Sequence, residues 1–298
     1  MDHEAKEIKE NTPEAYWNQC LEWAVEKDYD FRQCCDIVNV KTEGLSLAQI
    51  AQVPLQNSVK AASVFSRLTL PASCISRFLG TTPYLIEEMQ IWAENSESWL
   101  RSCNVTHASI LLIADGFDGE GPAWGVLKGA EALQTTLVTS APEPWEVIGD
   151  YGVTACALTE PLLKEWMHRG ESIGSCQAFF CLSSELNDYQ RKQWQEKLGV
   201  PIYRQLGLPG VQSSVIAWEC AEQQGYHCPI DSFWPEVVSP RTQKLLAKGE
   251  LGEFLMTALR RRSTTAIRLH TGWYGHLLEE PCRCGFLWSR FVMAEKSV

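Results

Sequence analysis

Between Ser109 and Gly207 short apolar runs alternate with longer polar-faced segments, and this alternation limits what the chain can fold into more than any other feature. "SILLIAD" (Ser109 to Asp115) reads as a buried strand, followed by a Gly-rich loop and a helix from about Ala123 to Leu133. "TTLVTSA", "VTACALT", "CQAFFCLS" and "VPIYRQLG" read as further strands, separated by helices in "EPWEVIGDYG", "EPLLKEWMHRG" and "NDYQRKQWQEKLG". Strands joined by single helices pair in parallel, so the pattern predicts a doubly wound sheet covered on both faces. From Ser213 the pattern changes: "SSVIAWEC", "SFWPEVVS", "GELGEFLMTAL" and "TAIRLHTGWYGHLL" are strand-like stretches separated by turns. The expectation is an α/β fold, with a mostly parallel sheet followed by an antiparallel β subdomain and a boundary near Gly210. Residues 1–210 would hold a helical entry segment and the α/β sheet, and residues 211–298 the β-rich part.

Ahead of the alternation, Thr12-Pro13 places a capping residue before a proline at the first helical position, and Trp17, Leu21 and Val25 recur at helical spacing. "SLAQIAQVPLQNSVKAA" reads as a polar helical segment broken at Pro54. With 298 residues and 45% hydrophobic content the chain can bury a large core. Its first residues are acids and amides, not a basic start followed by an apolar run, and no later run reaches membrane-spanning length. A soluble, cytoplasmic protein without membrane insertion is therefore expected. The formal charge of −11 argues against nucleic acid as a partner. The one dense basic run, Arg260 to Arg262, reads as a solvated turn. Twelve cysteines without a secretory leader indicate reduced thiols and a metal site more than a disulfide framework; Cys156 and Cys181, in apolar runs, read as small core residues.

The sharpest chemical signal lies in the β-rich part. "ECAEQQGYHC" offers Cys220 and His227 as C-x6-H, and "EEPCRCG" offers Cys282 and Cys284 between Pro281 and Gly285. Two soft ligands on each of two turns suit tetrahedral Zn2+, and four protein ligands leave no open position for water, so the expected role is structural. Cys228 could replace His227 or sit beside it; the spacing does not decide.

These residues, taken in order, also carry a resemblance. "SLAQIAQVPLQNSVKAA" with Lys60, "LSSELNDYQRKQWQEKLGVPIY", "GELGEFLMTAL", "IRLHTGWYG" and "EEPCRCG" resemble, in that order, the large N-terminal domain of the phenylacetate-CoA ligase branch of the adenylate-forming enzymes. The Cys/His pattern is similar to a zinc site of that branch. The resemblance implies an ATP cleft, but the residues at its motifs depart from the family. The phosphate loop should be rich in Ser, Thr and Gly with a lysine, whereas "SCISRFLGTTPYLIEEMQIW" keeps only Gly80, Thr81 and Thr82. Where the family has Tyr-Gly-x-Thr-Glu this chain has "LGLPG", so Leu206, Gly207, Pro209 and Gly210 supply neither hydroxyl nor carboxylate. At the place of the ribose-binding aspartate stands Trp273, beyond Arg268 and Thr271, and its indole has a single N–H donor and far more bulk. Family ligases continue into a small C-terminal lid domain, and the chain is expected to lack it.

The remaining motifs are weak. "GESIG" (Gly170 to Gly174) matches a nucleophile elbow, but a helix precedes it and a strand follows, the reverse of what Ser172 would need as a nucleophile. Asp118 and Glu120 in "DGFDGEGPAWG" read as a flexible turn, and His107 and His270 show no catalytic partner in the sequence. Several of the twelve tryptophans would suit a protein contact surface. Together these readings predict a degenerate acyl-CoA ligase homologue without ATP or Mg2+, acting as a binding, scaffold or assembly protein. Its partner would be a protein, an acyl carrier or a small acyl or CoA ligand. The enzymatic alternatives are an adenylation or acyl-transfer subunit completed by a separate lid; a further possibility is an acyl-CoA-binding sensor.

Overall fold

Thr12 starts the first helix as its sequence requires: its Oγ1 accepts from the Ala15 amide at 3.2 Å, and Pro13 opens helix α1 (Pro13–Lys27). The structure, a computed structural model, describes residues 12–56, 70–79, 82–114, 121–139, 143–183, 186–208 and 210–294. Asp28 caps α2 (Tyr29–Ile37) in the same way. The polar segment that follows forms a 3-10 helix, Leu47–Gln52. These pieces bury Trp17, Leu21, Phe31 and Ile50 against Leu259 and Ile267 of the β-rich part, and the Trp17 indole donates to the Leu45 carbonyl at 2.7 Å. A short hairpin, β1 (Arg77–Leu79) with β2 (Thr82–Tyr84), leads into α3 (Ile86–Ser102).

The predicted alternation then appears as β3 (Ile110–Ile113), α4 (Pro122–Ala132), β4 (Thr136–Thr139), α5 (Pro144–Val147), β5 (Ala155–Leu158), α6 (Glu160–Arg169), β6 (Ala178–Cys181), α7 (Asp188–Leu198) and β7 (Ile202–Leu208). The strands lie in parallel in the order β4-β3-β5-β6-β7. Because strand side chains alternate between faces, Leu111, Ile113, Ala157 and Phe180 join one core with α3 and α4, while Leu112, Cys156, Phe179 and Cys181 join a second with α6. Helices α3 and α4 meet very closely at Gly125, where an added Cβ would lie 2.2 Å from the Trp92 indole nitrogen. The helix expected over "EPWEVIGDYG" is only the single turn α5, and the chain turns at Gly152 with φ of 60°.

At β7 the pairing changes hand. β8 (Gln212–Trp218) runs antiparallel to it, and β9 (Tyr226–His227), β13 (Arg290–Met293), β12 (Leu269–Leu278), β11 (Gly252–Ala258) and β10 (Phe233–Val238) continue the same sheet, which has eleven strands. The sheet is thus continuous across Gly210. Strand β13, which the sequence pattern did not reveal, sits between β9 and β12 in the middle of the antiparallel half. Leu206, Phe254, Leu269 and Phe291 form its core. No helix among the described residues is long and apolar enough to cross a membrane.

Candidate functional site

The turn after β8 carries Cys220, β9 carries His227, and the turn between β12 and β13 carries Cys282 and Cys284. Since β9 and β13 pair at His227 and Arg290, the two turns emerge side by side and their four ligand atoms come within 4.8 Å of one another. Cys220 Sγ lies 3.7 Å from Cys282 Sγ, and Cys284 Sγ lies 3.3 Å from His227 Nε2. A tetrahedron with metal–sulfur bonds of about 2.3 Å has S–S edges near 3.8 Å, so the spacing fits one ion and is far too long for a disulfide. The amide of Gly285 donates to the Cys282 carbonyl at 3.1 Å, and Gly285 adopts φ of 89°, a left-handed turn that brings both thiols to the same side.

Electrostatics agree with the geometry. Burial, helped by the Arg290 charge, lowers the His227 pKa to about 4, which keeps the imidazole neutral and able to donate a lone pair. Burial pushes the Cys220 thiol up, so without an ion it stays protonated; a soft divalent cation would displace that proton. Successive strand residues face opposite ways, and this separates His227 from Cys228. His227 joins the cluster, whereas Cys228 points into the β core, donates to the Tyr226 carbonyl and is raised to about 12 by burial. Phe286 packs 5.6 Å from the His227 ring, and Trp218 and Trp288 complete an aromatic wall beside the cluster.

A buried charge network next to this centre was not visible in the sequence. Glu219, immediately before Cys220, accepts from the guanidinium of Arg204 at 2.7 Å and lies 3.5 Å from Arg191; Asp188 completes the group. It fixes β7, β8 and α7 to one another where the turn that carries Cys220 begins. The Arg260–Arg262 run is not the solvated turn expected. Arg261 is buried and donates to the carbonyls of Pro83 and Val211, Arg260 stacks over Tyr16, and the Arg262 amide donates to Glu88.

Of the residues singled out through the resemblance, Lys60, Gly80, Thr81 and Pro209 lie outside the described residues, as do Asp118 and Glu120 of the Gly-rich loop. Thr82 is buried on β2. Leu206 is fully buried, and Trp273 packs half-buried on Phe254 in the same apolar cluster. Gly207 lies within β7, and the Thr271 hydroxyl donates to the Phe254 carbonyl at 2.6 Å. Arg268 is only 2% exposed. Its Nε lies 3.1 Å from both carboxylate oxygens of Glu236, and its Nη1 donates to the carbonyls of Ala51 and Val53. Burial raises the Glu236 pKa and the Arg268 charge opposes the rise. His270 does have a partner that the sequence could not show, Glu253 on the neighbouring strand at 2.6 Å from its Nδ1. His107 is exposed, and Ser172 sits in a turn after α6 and before β6, with its hydroxyl accepting from the Gly174 amide.

No protein-family model matches the chain. It is 26% identical to a phenylacetate-coenzyme A ligase of Thermus thermophilus over 278 residues, 86% of this chain and 62% of that protein. A phenylacetate-coenzyme A ligase of Escherichia coli is 24% identical over 87% of this chain and 65% of its own length. The chain thus spans less than two thirds of these relatives. Among solved structures, a 2-hydroxyisobutyryl-CoA ligase in its postadenylation state superposes with a TM-score of 0.80 at 18% identity, covering 92% of this chain and 64% of that one. MatB from Rhodopseudomonas palustris gives 0.52 at 12% identity, covering 72% of this chain and 45% of that one. The fold is that of the large domain of adenylate-forming enzymes. With the sequence likeness, it supports membership of the acyl-CoA ligase superfamily.

Proposed function

We propose that this chain is a catalytically degenerate homologue of the acyl-CoA ligases, from the phenylacetate-CoA ligase branch, that works as a binding or assembly protein. In this reading Cys220, His227, Cys282 and Cys284 hold a structural zinc ion that pins the β-rich half. One observation carries the proposal: Leu206 and Trp273, at the positions matched to the adenine and ribose motifs, belong to a single apolar cluster with Phe254. Side chains packed there bring no carboxylate for magnesium or for the ribose hydroxyls. Adenylation depends on electrostatic stabilisation of a transferring phosphoryl group, and loss of those groups removes most of it. Pyrophosphate exchange with ATP and Mg2+ across a panel of carboxylic acids tests the idea. The expected result is no exchange above a protein-free blank; measurable exchange with any acid would refute degeneracy.

A further inference from the structure

Strand β12 has a second face. Leu269 and Trp273 turn to the apolar cluster, while His270, with Arg268 just before the strand, lines an open cleft of about 690 Å³ between the segment at Val53 and the β10–β11 loop at Lys244. In a chain of net charge −11, this cleft is lined, among the described residues, by Arg268, Lys244 and His270 and by no carboxylate. Glu236 and Glu253 do not line it; they hold the Arg268 and His270 side chains in place.

Arg268, with φ of 48°, is fixed in the cleft wall by Glu236 through Nε and by the Ala51 and Val53 carbonyls through Nη1. With Nδ1 bonded to Glu253, Nε2 remains as the hydrogen-bonding atom of His270. The rest of the wall is aliphatic, from Val53, Pro54 and Leu245.

We infer that this cleft binds a small organic oxyanion, a carboxylate or phosphate monoester on an aliphatic body, held through Lys244 and His270. The site does not depend on whether adenylation has been lost. Calorimetric titration of the full chain with hexanoate, hexyl phosphate and, as a neutral control, hexanol tests it. At least one anion is expected to bind at one equivalent while hexanol gives no saturable heat. Lys244→Gln, an exposed substitution that leaves the core intact, and His270→Phe should each weaken that binding by about tenfold. Binding of hexyl phosphate alone identifies a phosphate ester, and binding of hexanoate alone a carboxylate. Absence of binding by both anions, or equal affinity in wild type and both variants, overturns the inference. Pyrophosphate exchange reads adenylation separately, so the two ideas fail independently.

Discussion

Stripping the Cys220–His227–Cys282–Cys284 centre should destabilise the protein by an amount set by how far apart its halves lie in the chain. Cys220 and Cys282 are 62 positions apart, and an unfolded chain that still gripped the ion across both turns would have to close that loop. Loop closure of this length costs about 4 kcal/mol on the cross-link entropy scale, a cost the folded sheet has already met by placing β9 beside β13. For 298 residues, with an unfolding entropy of about 2.1 cal/mol/K per residue, that corresponds to a fall in Tm of about 6–7 °C. The assay is calorimetric melting before and after exhaustive chelation, with elemental analysis of the starting material. Cys282→Ser should lose the metal and melt like the stripped protein, whereas Cys228→Ser should keep one equivalent. Protein purified from zinc-supplemented cells that carries no metal would refute the reasoning, and so would a Tm that moves by less than about 2 °C on stripping.

Three other outcomes follow from the same geometry. Glu236→Gln removes the counter-charge from an arginine that is 2% exposed and should cost about 3–5 kcal/mol in urea unfolding, while Glu236→Leu with Arg268→Met should recover most of it. In metal-stripped protein His227 has a folded pKa of about 4 against an ordinary 6.5, so the unfolded state takes up the proton first. Stability from this group is complete above pH 6.5 and is lost as pH falls through 4, by up to about 3 kcal/mol; melting against pH should show the loss, and His227→Asn should lack it. Gly275→Ala puts a Cβ 2.1 Å from the Val292 carbonyl and 2.7 Å from the Phe291 ring, so a destabilisation of about 1–3 kcal/mol is expected in the same assay.

The parallel half of the sheet was legible because its strands are unbroken apolar runs bounded by Gly, Pro and capping residues, which is how doubly covered strands read. Three short strands outside that pattern escaped. "RFL" and "TPY" are too short to show a period, "RFVM" opens on a charge, and β13 is held in place by β12, which precedes it in the chain, and by β9, which does not. The reading of "EPWEVIGDYG" as a full helix gave too little weight to Gly149 and Gly152, which weaken any turn beyond Val147.

The site divides along the same line. Thiol and imidazole pairs on turns have few chemical uses, so spacing alone marked the four residues that the fold brings together, and strand alternation resolved the one ambiguity, between His227 and Cys228. The arginines carry no such mark. Arg261 is buried because carbonyls 50 and 178 positions away accept from it, and Arg268 because Glu236, 32 positions earlier, lies on the strand beyond β11. A charge reads as solvated until its distant partner is seen, since burial without one is prohibitive. It follows that the oxyanion cleft, assembled from Val53, Lys244, Arg268 and His270, could not have been inferred from any local motif. "RLHTGWYG", conspicuous in the sequence for its tryptophan, divides between two faces: Trp273 closes the apolar cluster, and His270 and Arg268 open onto the cleft. Substituting Trp273 should therefore disturb packing and leave anion binding near wild type, whereas substituting His270 should do the reverse.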